Sequence, residues 1–176
     1  MIVFSIAVGE LMGVRNIMRF FIRWITFALL FLSATSVYAD SNIQAIYKQQ
    51  VDKPLSTVYG SLYKSLENAR FFVVFEPNIG KNLERFSGKW GDDYNRNKLS
   101  AIRSMVFCNG WYANEVSNLD PDMLGFCPLH LTLFEREGTT TILFNRPGMV
   151  AENSPAKELL MKIESEIIEA IRQGLL

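Results

Sequence analysis

Both cysteines of the chain and its single histidine fall in one stretch, CNGWYANEVSNLDPDMLGFCPLH, residues 108 to 130. Thiols and imidazoles serve as nucleophiles, redox groups and metal ligands near neutral pH. Their spacing narrows the chemistry. There is no C-x-x-C, so the thioredoxin-type redox signature is absent. His130 follows Cys127 by three residues, which on a strand sends the two side chains to opposite faces. They cannot share one ion without a bulge. Two Cys and one His also fall short of the four ligands of a closed zinc site. Cys108 and Cys127 each sit at the end of an apolar, strand-like run. Three readings stay open for them: a structural disulfide, two buried free thiols, or a redox-active or ligand-binding pair. A bridge requires Cα atoms within about 7 Å and contributes about 3 kcal/mol by loop closure.

Around the cysteines stand side chains suited to binding. Asn109 offers an amide, Trp111 a stacking surface and His130 a switchable donor, so Cys108, Asn109, Trp111 and His130 are the candidate ligand-binding set. Trp90, Trp111 and Tyr112 are candidates to line a pocket beside the cysteines, although aromatics in a small domain commonly fill core. Glu115, Asp120 and Asp122 are oxygen donors for a hard cation without EF-hand spacing. Asp120-Pro121 is also an ordinary turn starter. No Walker loop, G-x-S-x-G or H-E-x-x-H occurs. The sequence therefore nominates no catalytic residue, no cofactor-binding residue and no metal ligand, and calls for no cofactor.

The front of the chain reads as an address. Arg15, Arg19 and Arg23 precede the uncharged stretch WITFALLFLSATSVYA, which ends in Val37-Tyr38-Ala39. A positive region, a short apolar region and an A-x-A-like end make a secretory signal peptide. The apolar part is short for a spanning helix, which needs about 20 residues. Residues 1–39 are expected to be removed after Ala39, with Met18 or Met12 as a shorter start, and the product is expected in the periplasm. Contact with the membrane is then expected only through the signal segment before cleavage. The whole chain has a formal net charge of +0. Loss of Arg15, Arg19, Arg23 and Glu10 leaves a weakly acidic domain, without the basic footprint that nucleic acid requires. An oxidising compartment makes the cysteine question sharper.

The elements that must position these groups follow from periodicity. Residues 40–54 form a lead-in, with an imperfectly alternating strand at 42–51 suited to an edge. Leu55, Val58, Leu62 and Leu66 repeat at helical spacing across 52–70, behind Pro54 in the first turn. FFVVFEP, 71–77, is a continuous apolar run, expected to be a strand covered on both sides or a central one. A short helix at 78–86 and a polar loop at 87–97 precede a strand at 101–109. A short helix at 110–118 and an LDPD turn lead to a strand at 127–137, with Leu129, Leu131 and Leu133 on one face. Gly138 turns it into 139–146, a β-hairpin. The last helix is the clearest, with Ser154 as N-cap, Pro155 at the first position and a stripe of Ala156, Leu159, Leu160, Ile163, Ile167 and Ile171. This order predicts an α+β two-layer sandwich: one mixed sheet of about five strands with two long helices on one face.

In these terms the chain resembles the domain-of-unknown-function 302 family. The matching pieces are Cys108-Asn109, Ala113, Asp120-Pro121, the strand FCPLHLTLFE and the closing amphipathic helix, and they span roughly residues 55 to 174. Gly110 stands where that family commonly has Pro, and Cys127-Pro128 inverts its usual Pro-Cys order. The resemblance implies a compact α/β sandwich, with a homodimer as one possible assembly, and implies no reaction. The expected function is a non-enzymatic exported module that binds a small ligand or a protein partner through the sheet face and the 108–130 segment. The alternative is a thiol-based redox or haem- or metal-associated factor using Cys108 and Cys127.

Overall fold

The computed structural model describes residues 45–176. The leader expected at 1–39, residues 40–44 of the lead-in and the start of the first strand lie outside them. Five strands form one sheet in the order β1-β5-β4-β3-β2: β1 Ile46–Val51, β2 Phe72–Phe75, β3 Ala101–Cys108, β4 Leu129–Arg136 and β5 Thr139–Asn145. Every pairing is antiparallel, so the sheet is not mixed as expected. The longer helices are α1 Leu55–Asn68, α4 Gly110–Leu119 and α6 Lys157–Leu175. Between them lie the short helices α2 Ile79–Glu84, α3 Ser87–Trp90 and α5 Pro147–Val150.

Alternation puts Met105, Leu131 and Phe144 side by side on one sheet face, with Leu133 beside Ile142. All five are fully or almost fully buried. Against them lie Leu55, Val58, Leu62 and Leu66 of α1 and Leu160, Ile163, Ile167 and Ile171 of α6. This is the predicted pair of long helices on one face of the sheet. Each stripe buries apolar area at about 25 cal/mol per Å².

Local chemistry sets the joints. Pro54 stands just before α1, and its carbonyl accepts from the Thr57 and Val58 N–H groups. The helix ends in paired bonds, Arg70 N–H to Glu67 and Phe71 N–H to Leu66, both 2.9 Å. Arg70 adopts a left-handed φ of 64° to make them, the geometry that usually recruits Gly. The hairpin loop is Glu137-Gly138, with φ of 52° and 79°. Two positive φ values match the strand twist.

Three expectations need correction. β2 is an edge strand, not a covered or central one: Phe71 is buried, but Phe72, Val74 and Phe75 are exposed. Its apolar run is interrupted by a bulge between Val73 and Phe75. The Glu67 carboxylate accepts the Val73 N–H at 2.9 Å, which occupies a donor that would otherwise invite another strand. The 87–97 loop contains α3 and a 3-10 turn at Gly91–Asp93. Ser154 does not cap the last helix directly. Its hydroxyl donates to Asp120 at 2.5 Å and accepts the Ala156 N–H at 3.1 Å, and α6 starts at Lys157.

Candidate functional site

The thiols meet because of strand register. Antiparallel pairing sets Phe107 opposite Leu129. Cys108, the last residue of β3, therefore comes level with the chain just before β4, where Cys127 lies. Their sulfurs are 3.5 Å apart. That is contact distance, well beyond the roughly 2.05 Å of a disulfide bond, and both are free thiols. Cys108 is half-buried and Cys127 is exposed.

They stand at the mouth of a small apolar pocket of about 40 Å³. Its walls come from four places: Phe107 on β3, Tyr112, Ala113 and Val116 on α4, Met123 and Phe126 in the turn Pro121–Phe126, and Leu160 and Ile163 on α6. No charged side chain lines it. Asn109 is the N-cap of α4, and its side-chain oxygen accepts the Tyr112 N–H at 3.1 Å. Gly110 takes the first helical position, where Pro is tolerated because that N–H has no helical partner. The Tyr112 hydroxyl donates to Glu166 on α6 at 2.7 Å. Burial and that carboxylate push the phenol up to about 12. Its ring stacks on Phe71 at 6.2 Å between centroids. These contacts hold α4 against the core and the pocket open beside it.

Burial also pushes the Cys108 thiol up to about 11, reinforced by its hydrogen bond to Cys127 and by that neighbour's charge. A thiol held neutral is a poor nucleophile, because the thiolate is the reactive form.

Of the candidate ligand-binding set, Cys108 and Asn109 line the pocket together with Cys127. The Asn109 oxygen is engaged as a cap. Trp111 points away, 69% exposed, and His130 is exposed on β4 opposite Val106. Neither lines the pocket. Trp90 borders a separate polar cleft of about 600 Å³ with Lys81, Tyr94 and Arg103. Asp120 is committed to Ser154 and the Asp122 N–H. Among the described residues no three His, Cys, Asp or Glu side chains come together as a metal site. Sequence reasoning missed Ala113, Val116, Met123 and the α6 wall. Tyr112 and Val116 do share one face of α4 by their spacing, a signal that marks a helix face without saying that it borders a gap.

The architecture is that of an antiparallel α+β sandwich with a small apolar pocket at one end of the sheet. The chain belongs to the family described as domain of unknown function DUF302, which matches residues 47–174. The crystal structure of an uncharacterized conserved DUF302 protein from Bacillus stearothermophilus shares the fold, with a TM-score of 0.62 and 22% identity. The match covers 73% of this chain and 97% of that one. No curated protein matches the chain.

Proposed function

We propose that the domain is an exported, non-enzymatic binding module whose site is the pocket between α4, α6 and the ends of β3 and β4. The observation that carries this reading is the apolar lining of that pocket beside two accessible thiols. Its volume of about 40 Å³ holds a few heavy atoms. It suits the aliphatic end of a small ligand or one side chain of a partner, whereas a haem does not fit. Its apolar walls offer few hydrogen bonds to water, which favours entry of an apolar group.

The test uses 1-butanol as the probe and the methyl NMR signals of Val116, Leu160 and Ile163 as the readout. Saturable shifts confined to these methyls are expected in the wild type, with loss in Ala113→Leu, which fills the gap. Equal shifts in both proteins would sink the pocket as the site. Export has its own check, an intact mass from a periplasmic extract alkylated without reduction. Cleavage after Ala39 gives the mass of residues 40–176, and an uncleaved mass overturns the leader.

A second reading rests on the 3.5 Å between the sulfurs. In an oxidising compartment this pair can close into a disulfide that staples β3 to the start of β4. The same mass experiment reads it when the alkylation is done in denaturant: a bridged chain takes up no alkyl groups, and an open one takes up two.

A further inference from the structure

We propose that Cys108 and Cys127 form a two-thiolate site for a soft, monovalent d10 cation, with cuprous ion as the probe. The site lies at the mouth of the pocket and not in its interior, so it does not depend on the ligand proposed above.

The sulfurs are already near enough to share one ion, at an angle that must widen. A metal about 2.3 Å from each sulfur fits between sulfurs 3.5 Å apart at an S–M–S angle of about 100°. Small side-chain rotations open that angle, since Cys127 is exposed and not held by packing. The donor set selects the ion. Thiolate and thioether favour soft ions, whereas carboxylate, carbonyl and water favour hard ones. The thioether of Met123 lines the same pocket, and no carboxylate or imidazole does. Among the described residues no group of three His, Cys, Asp or Glu assembles, so the site lacks the ligands of a closed zinc centre. An ion content with two or three soft ligands is left.

Binding balances as proton exchange: one cuprous ion displaces the protons of two thiols, two S–H bonds break, and two S–Cu bonds form with no change of oxidation state. Release of two protons makes the exchange favour higher pH.

The experiment titrates the reduced domain, without oxygen, against cuprous ion held by a coloured bathocuproine chelator. One equivalent is expected to leave the chelator per chain. Cys108→Ser and Cys127→Ser should each abolish the transfer, Met123→Leu should weaken it less, and zinc should not compete. The bound ion should also protect both thiols from maleimide, read by mass, which keeps the proposal testable if a Ser variant folds poorly. Transfer that survives in the double Ser variant overturns the site, as does a wild type that extracts no copper. A failed titration with the 1-butanol shifts intact removes the metal site and leaves the binding module standing.

Discussion

Two polar clusters lie along the first half of α6, and they are bonded very differently. On one side Glu164 is 5% exposed. One of its carboxylate oxygens accepts Arg146 Nε at 2.6 Å and the other accepts the Gly148 N–H at 3.2 Å. On the other side, past Leu160 and Ile163, Cys108 and Cys127 have only each other. A buried charge demands partners, because leaving it unpaired costs several kcal/mol. A thiol is a weak donor that behaves as a small apolar group and makes no such demand. The first cluster therefore shaped the backbone of α5, down to a glycine where a side chain cannot enter. The second is an addition that the fold does not require, and such a pair is free to serve a ligand.

The largest effect should come from the first cluster. Glu164→Ala leaves Arg146 beside a buried void and removes the acceptor of the Gly148 N–H. A loss of about 3 kcal/mol is expected, the scale for breaking a buried pair, measured by urea unfolding. Glu164→Gln retains an acceptor and should lose less. A cost below about 1 kcal/mol for the Ala variant would place Glu164 among ordinary surface carboxylates and erase the contrast.

Next comes the glycine. A Cβ at position 148 would stand 2.7 Å from Met161 Cγ and 3.1 Å from Met161 Cα. The side chain can move, but the Cα is helix backbone. Gly148→Ala should cost about 2 kcal/mol from overpacking, read by the same unfolding experiment. A neutral result would show that α5 and α6 can part, so that the carboxylate site is looser than its bond lengths say.

A smaller effect is expected at the second cluster. Asn109→Ala removes the cap of α4, worth about 1 kcal/mol. Because α4 carries Tyr112, Ala113 and Val116, the variant should also weaken the 1-butanol shifts. Lost stability with an unchanged pocket would separate the cap from the site.

What was legible in the chain follows the same division. Regular burial was readable: the stripe at Leu55, Val58, Leu62 and Leu66, the alternation at Leu131 and Leu133, and the Gly138 hairpin all reflect one periodicity each. The neighbours of single residues were not. Phe72, Val74 and Phe75 read as core because composition cannot tell an apolar edge from a covered strand. The burial of Glu164 is announced by no pattern, since its arginine arrives from eighteen residues upstream. Ser154 read as the cap, but its oxygen meets the Ala156 N–H in a turn that precedes the helix, and its bond to Asp120, far back in sequence, was not visible. The cysteines were marked by type, but their distance depends on β3–β4 register, which periodicity does not supply. The order of elements pointed to the two-layer sandwich, but it did not supply the strand order of the sheet.

The smallest effect is the most diagnostic of the thiol cluster. Burial and the neighbouring thiol raise Cys108 from an ordinary 9.0 to about 11. Iodoacetamide should therefore modify the exposed Cys127 first, with Cys108 slow at neutral pH and faster as pH rises toward 11. In Cys127→Ser the burial remains but the sulfur partner is gone, so the Cys108 profile should move part of the way back. Stability follows the same linkage. A folded pKa above the unfolded one means that the folded state holds the proton more tightly. Its contribution is complete below about pH 9 and is lost as pH rises through about 11. The unfolding midpoint of the wild type should thus fall more steeply between about pH 9 and about pH 11 than that of Cys108→Ser. Parallel slopes would mean that the buried thiol gives up its proton as easily as an unfolded one, and the two clusters beside α6 would then differ in charge but not in how firmly the fold holds them.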